Sequence, residues 1–401
     1  MKVVYVYNYN ESLPGVNLKI IAKLKWLKDL GVNLVVLCFT NKTVHNELAD
    51  FEVVYVKPYK IYSLPKLFNF KYLNFLNQII NDYRISRYYQ SILLNIEFDL
   101  LIMRYNTSNY FLYKLISKFK YKFIFEHNTI ELNQLKLRYQ GILKSQSWIS
   151  FSYFSEKLFG PKVLVNAAGL IGVTDEITNY EKNRFKPKST LPLSTTISNG
   201  INVTDFPLNS FEVLDDNIFN LVMILGVNAE WHGLSRIING INNYHGNKKI
   251  TLYIIGNVNE IKSKNVVYLG SMNLTQMNNF FENTNIHLGV ASLALHKINI
   301  KEASVLKARE YLARGIPFLY GYNDTDLDKN ESIKSMVLKV PATDDDIDIN
   351  RVLKFFSDVQ KIEFYRQKIR DYALHNVDMS VKMNQYKKFL EEVMIVKAQI
   401  K

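Results

Sequence analysis

Cysteine is almost missing from this chain: Cys38 stands alone among 401 residues, so no disulfide can form within it. Long apolar runs are missing too. The best candidate, VLVNAAGLIGV at 163–173, falls far short of the ~18 residues that a membrane-spanning helix requires. The opening MKVVYVYNYNES passes straight into a strand pattern, without the apolar core and small-residue cleavage site of a secretory leader. Together these point to a cytoplasmic protein, because disulfides mark oxidising compartments. No His or Cys group has metal-ligand spacing. DTDLDKN at 324–330 begins like a calcium loop, but Lys329 stands where the glycine is needed and Ser335 where the closing acid is needed. No metal is expected. Helix-turn-helix spacing and the aromatic signature of RNA-binding sheets are absent, which argues against a nucleic-acid partner. There is no short-period repeat or low-complexity tract.

What the chain does have is positive charge, unevenly placed. The total is +13, of which residues 1–205 carry +11 (26 Lys and Arg against 15 Asp and Glu) and residues 206–401 only +2. Within the basic half, residues 57–90 combine six basic residues, one acidic residue and nine aromatics. Such a segment suits an anionic membrane surface, and equally a solvated helical face.

Apolar strand-like runs alternate with helical periodicity throughout. The runs are KVVYVYN, VNLVVLCFT, FEVVYVK, FDLLIMR, KFIFEH and GLIGVT in the first half. In the second they are NLVMILG, ITLYIIG, NVVYLG, IHLGVA and IPFLYGY, with helices near 234–244, 274–284 and 305–314. That alternation predicts an α/β chain with parallel sheets covered by helices. With a prior of roughly 100 to 200 residues per domain, two doubly wound domains are expected, joined through the Pro-, Ser-, Thr- and Asn-rich stretch from Glu181 to Ser210. The domains are placed at 1–205 and 206–380, followed by a helix at 381–401.

The stretch KEASVLKAREYLARGIPF, residues 301–318, holds the main chemical signal. Ser304 reads as an N-cap, residues 305–314 as a helix, and Gly315 with Pro317 as its stop. Glu302 is expected in the loop before that helix. Glu310 is expected in its second turn, about 7 Å along the axis from the first amides at ~1.5 Å per residue. Those amides have no intrahelical partner and form a partial positive pole suited to a phosphate.

Together with ISNGINVTDFP at 197–207 and LGVNAEWHGLSRIINGI at 225–241, this stretch resembles the GT-B glycosyltransferases. The likeness is greatest to the large retaining family 4 group that builds bacterial surface polysaccharides, and it extends over nearly the whole chain. Glu302 and Glu310 match that family's E-x7-E motif. The resemblance implies two Rossmann-like domains facing each other across a cleft, with the C-terminal helix crossing back to the first. It implies a nucleotide-sugar donor held by the second domain, a saccharide or lipid-linked acceptor presented by the first, and no cofactor beyond the donor. Glu310 would bind the ribose hydroxyls and Glu302 the donor sugar. Gly226, His232, Gly233, Ser304, Val305, Leu306, Lys307 and Asn199 would complete the donor site, and His127 would join Glu302 in catalysis. Pro14, Gly15 and Asn17, in the first strand-to-helix loop, would line the acceptor or phosphate side.

The chain departs from the family where two cations usually hold the diphosphate: it has Val227 after Gly226 and His232 before Gly233. Lys307 and Arg309 are the candidates to replace them. DDD at 344–346 contains the D-x-D of metal-dependent GT-A transferases, but it lies late in the chain and reads as the acidic opening of a helix. A catalytically silent GT-B subunit, or an epimerase of the same fold, would keep much of the same pattern.

Overall fold

Strands whose residues are buried almost continuously need cover on both faces, and this chain builds two sheets of that kind. The computed structural model describes residues 1–9, 14–40, 46–57, 71–140, 149–186, 190–209 and 217–400. By contacts the chain divides into two compact units. One is Met1–Ile197 with Met383–Lys401, the other Ser198–Lys382.

The first unit holds a seven-stranded parallel sheet: β1 (Lys2–Asn8), β2 (Asn33–Phe39), β3 (Glu52–Val56), β4 (Leu100–Arg104), β5 (Phe123–His127), β6 (Gly169–Gly172) and β7 (Leu193–Thr196), in the order β3-β2-β1-β4-β5-β6-β7. β1 pairs with β2 from Lys2 opposite Asn33 to Asn8 opposite Phe39, and on its other side with β4. Apart from β2 to β3, where the described residues hold only a 3₁₀ turn at Asn46–Leu48, the connections carry helices: α1 (Pro14–Asp29), α2 (Lys71–Leu94), α3 (Tyr110–Lys118), α4 (Glu131–Tyr139), α5 (Ile149–Leu164) and α6 (Asp175–Lys182). Val4, Val6, Val35, Leu37, Leu101, Phe123 and Phe125 form the centre of its core. β7, with the sequence LSTT, was not predicted. It has no apolar run and is only half buried, so it exists because β6 offers it a free edge.

The second unit has a six-stranded parallel sheet of β8 (Ile218–Ile224), β9 (Lys249–Ile255), β10 (Val266–Gly270), β11 (Leu288–Val290), β13 (Phe318–Tyr320) and β15 (Val337–Lys339), ordered β10-β9-β8-β11-β13-β15. A separate two-stranded ribbon pairs β12 (Glu302–Ala303) with β14 (Asn323–Asp324). Its helices are α7 (Leu234–Asn242), α8 (Leu274–Asn283), α9 (Leu306–Ala313), α10 (Glu331–Lys334), α11 (Ile349–Gln360) and α12 (Tyr365–Asn376). The strand period of two sorts β8 between two cores: Phe219, Leu221 and Met223 join one, Val222 the other with α9.

The last helix, α13 (Met379–Ile400), belongs to the first unit from Met383 onward. There the Tyr386 hydroxyl donates to Glu126 at 2.5 Å and Lys397 Nζ donates to the Asp99 carbonyl at 2.7 Å. Gly169 carries no side chain because a Cβ would stand 2.9 Å from the Phe389 ring. The acidic DDD run does not open a helix. α11 starts at Ile349 on the side chain of Asp348, while Asp344 pairs with His296 and Asp346 accepts from Asn239 and Asn243.

Candidate functional site

Helix α9 is fixed from behind by Tyr311, which is fully buried against β8 and β11. Its hydroxyl lies 3.2 Å from the carbonyls of Val222 and Val290 and accepts from the Ile224 amide at 3.2 Å. The ring lies so close to β11 that a Cβ on Gly289 would stand 2.7 Å from it. With Tyr311 pinned, the neighbouring Glu310 and the more N-terminal Lys307 have fixed directions.

The start of α9 departs from expectation. Val305, not Ser304, is the N-cap, and it gives no side-chain hydrogen bond. The Ser304 hydroxyl instead accepts from the Asn199 amide at 2.8 Å, and the Ser304 carbonyl accepts from the Asn199 side chain. Two residues of the expected donor site are thus joined, and the first amides of α9 keep their positive pole without a capping oxygen. Glu302 does not sit in a loop: it forms β12, paired opposite Asn323.

Glu310 lies in the second turn as expected and is buried. Burial raises its pKa, and Arg314 one turn later opposes this by donating Nε to Oε1 at 2.9 Å. Arg314 escaped the sequence reading, although its i, i+4 spacing from Glu310 was the available signal.

Lys307 and His232 meet. Lys307 Nζ is 3.3 Å from His232 Nδ1, which also lies 3.3 Å from Ser292 Oγ. Lys307 is only 8% exposed, and among the described residues no carboxylate pairs with it. Burial alone lowers its pKa to about 7. Burial, then the nearby Lys307, lowers His232 to about 3, so its imidazole is neutral. When the ammonium donates to Nδ1, the ring proton sits on Nε2, which is buried and has no partner among the described residues. The pair therefore holds a cation and a free N–H donor.

His232 lies in a short 3₁₀ turn, Glu230–His232, closed by Gly233 at φ 71°. A Cβ on Gly233 would also stand 2.8 Å from that of Leu293, and the carbonyls of Trp231 and His232 accept from Ala294 and Leu293. Gly226 is different: it is exposed, and a Cβ there would meet nothing within 4 Å. Beside it Val227 is 48% exposed.

Arg309 is no replacement cation. It is fully buried and bonded to both oxygens of Asp324 and to Asp326, whose other oxygen accepts from Ser198 at 2.9 Å and Lys382 at 2.8 Å. Of the acids that resembled a calcium loop, Asp324 and Asp326 are committed to this network, and Asp328 accepts from Tyr320 at 2.8 Å and from Lys339.

In the first unit, Pro14 and Gly15 do not lie in a loop; they open α1, where a proline loses no hydrogen bond. Asn17, in the same first turn, is buried. His127 ends β5 as expected but is 1% exposed, stacked on Tyr105 at 4.4 Å. Its Nδ1 is 3.9 Å from Glu181 Oε1, too far for a hydrogen bond, and neither ring nitrogen has a partner among the described residues. Burial, aided by Arg184, lowers its pKa to about 3. Arg184 bridges Glu181 at 2.7 Å and Glu156 at 2.6 Å, while Glu156 also accepts from Tyr105 at 2.8 Å.

No protein-family model matches the sequence, and no curated protein matches it. Solved structures do. A glycosyltransferase from Rickettsia africae ESF-5 is 11% identical, with 98% of each chain covered and a TM-score of 0.62. Sucrose-phosphate synthase from Thermosynechococcus elongatus is 10% identical over 98% of this chain and 99% of its own, at 0.63. Anabaena HepE, in complex with UDP and glucose, is 13% identical over 98% and 100%, at 0.59. At such low identity the likeness speaks for architecture, and on that ground the chain has the GT-B fold of these glycosyltransferases.

Proposed function

We propose that this protein transfers a sugar, with retention and without a metal, from a nucleotide-sugar donor to a saccharide or lipid-linked acceptor in the building of a surface polysaccharide. The observation that carries this reading is the Lys307–His232 pair, a buried cation without a carboxylate partner in the same short helix as Glu310. In such a site the charge developing on the departing diphosphate would meet Lys307, the His232 N–H and the uncapped amides of α9. Preorganised donors of this kind supply most of the catalysis in group transfer. Glu310 offers a carboxylate oxygen to the ribose hydroxyls, and Glu302 faces the donor sugar. Transfer then runs on one face of the sugar through an oxocarbenium-like state, with no covalent nucleophile required of the protein.

The likeness to HepE with UDP and glucose makes UDP-sugars the first donors to try. A thermal-shift panel of UDP-, GDP-, CDP- and dTDP-sugars tests the reading: a donor at 100 times its dissociation constant stabilises the native state by about 2.7 kcal/mol. One nucleotide class should stand out, and a flat panel would refute the donor site. A second reading, a silent subunit, is favoured by Val227 and His232 standing where the family keeps its cations. Release of free nucleotide diphosphate by the isolated chain with an acceptor mixture would eliminate it.

A further inference from the structure

Four helices of the first unit carry an unusual surface. α2 touches α3, α3 touches α5, and α5 touches α4, and the joints are aromatic. Tyr83 meets Phe111 at 5.5 Å, Tyr110 meets Phe159 at 5.8 Å, and Tyr139 stacks on Tyr153 at 6.2 Å. Large apolar side chains nevertheless remain in water. Phe154 is 61% exposed, and Leu158, one turn further along α5, is 57% exposed; Tyr139, Tyr110, Tyr83 and Ile80 are exposed too. Single exposed apolar residues need no explanation, but a run of them across adjoining helices does.

The charges around that run have one sign. Arg84, Arg87, Lys114, Lys136, Lys157 and Lys162 are exposed. The acidic residues of the same helices are Asp82, Glu131 and Glu156, and none is exposed: Glu156 is wholly buried on Arg184, Glu131 accepts from Thr129 and Asp82 from Gln78. Two of the lysines lie over rings of the surface, Lys114 over Tyr110 at 5.6 Å and Lys162 over Phe159 at 5.2 Å. Their ammonium groups thus lie beside aromatic rings, cation and apolar surface sharing one face. A face that exposes phenylalanine, leucine and tyrosine among cations, with no exposed acid in the described residues of these helices, complements a surface that is apolar below and anionic above.

We propose that the exposed face of α2, α3, α4 and α5 docks on an anionic lipid bilayer, with Phe154 and Leu158 entering the headgroup boundary and the surrounding Lys and Arg side chains on lipid phosphates. Trp, Phe and Leu on one side with Lys and Arg around them is the composition of interfacial helices, and polybasic surfaces gain from anionic lipid in proportion to their cations. This differs from the expectation placed on residues 57–90. Residues 58–70 lie outside the described residues, and α4 and α5 are no part of that segment. The proposal also stands apart from the donor reading, since the docking is measured without any donor.

The test uses the full chain and vesicles of phosphatidylcholine, alone or with about one third phosphatidylglycerol, in a sedimentation assay. Binding should require the anionic lipid and should fall between about 0.1 M and about 1 M salt, where the screening length shortens from about 10 Å to about 3 Å. Lys157→Gln with Lys162→Gln should weaken it on the order of 20-fold, at roughly fivefold per cation. Phe154→Ser with Leu158→Ser should weaken it roughly tenfold or more. All four positions are exposed, so circular dichroism should show both variants folded. In Phe154→Trp the emission should move to shorter wavelength on anionic vesicles. Equal binding to neutral vesicles, or unchanged binding by both double variants, would overturn the proposal. So would retention of a single-stranded oligonucleotide without any vesicle binding, or a dimer that the serine variant dissolves.

Discussion

His127 and His232 make an instructive pair. His127 ends β5 and His232 lies in the 3₁₀ turn that follows β8; each is driven to a pKa of about 3 by burial and then by a neighbouring cation, and each has a buried ring nitrogen with no partner among the described residues. Their neighbours separate them. At His127 the cation is Arg184, already held by Glu156 and Glu181, so its charge is answered within the protein. At His232 the cation is Lys307, and no carboxylate answers it. A buried charge that is balanced internally holds a fold together; one that is left unbalanced is set for a ligand of the opposite sign. By that criterion the cation at the end of β5 is answered within the protein, and the start of α9 fits the diphosphate of the proposed donor.

The largest effects should come from breaking the balanced clusters. Arg184→Met leaves Glu181 and Glu156 in the interior without their cation, and Arg309→Met strips Asp324 of its cation and leaves Asp326 with Lys382 alone. Each should cost roughly 3–5 kcal/mol of the stability of its own unit, the range for stripping one partner from a buried pair. Urea unfolding should show that loss. Lys307→Met should show none, and is expected to be neutral or mildly stabilising, because it removes a buried cation that has no partner. A loss at Lys307 comparable to that at Arg309 would erase the distinction.

Next in size are the effects on donor binding, where the ranking reverses. Lys307→Met should lower nucleotide-sugar affinity by about 1.5 to 3 kcal/mol, the range for hydrogen bonds to charged groups. Glu310→Gln should lose a similar amount, part of it through its bond with Arg314. Glu302→Gln should reduce turnover more than binding. Calorimetric titration and initial rates separate these, and unchanged binding by both Lys307→Met and Glu310→Gln would remove α9 from the site.

Much of this was legible in the sequence, and the reasons are physical. Strands such as VNLVVLCFT and helices such as 234–244 declare themselves because burial on both faces, or on one helical face, imposes a period. β7 could not be found that way, since LSTT carries no apolar signal and pairs only because an edge was free. The two glutamates of the candidate site were visible because their spacing is local. What the sequence could not show was charge balance, which is made across distance. Arg309 finds Asp324 and Asp326 from 15 and 17 positions away, and Lys307 finds His232 across 75. On sequence alone Lys307 and Arg309 were both candidates for the missing cation, with Lys307 the better placed, and their partners now separate them. Ser304 was misread as a cap for the same reason, its hydroxyl being taken by Asn199, 105 positions away.

The smallest expected effect on binding is also the most specific, because one group should move two observables in opposite directions. His232, with its pKa near 3, does not titrate near neutrality; Lys307, lowered from 10.5 to about 7, does. A bound diphosphate favours the ammonium and raises that pKa, so donor affinity should be full below about pH 7 and decline above it. At about pH 8 some nine-tenths of the free protein has lost the charge, a penalty of up to about 1.4 kcal/mol. Folding runs the other way. Between about pH 7 and about 10.5 the unfolded lysine holds a proton that the folded one has released, so stability rises with pH there by up to about 1.4 kcal/mol per unit, and the penalty of burying the ammonium is complete only below about 7. Lys19, lowered to about 8, contributes in the same direction, and Glu181, raised to about 7, titrates just below the window. Both are present in Lys307→Met, so the difference between the two proteins isolates Lys307. His232→Ala should keep the decline in affinity above neutrality, whereas Lys307→Met should abolish it and remove the matching rise in stability. If His232→Ala flattens the binding profile and Lys307→Met does not, the proton belongs to the histidine, and the unbalanced charge that distinguishes the start of α9 from the end of β5 is not the lysine's.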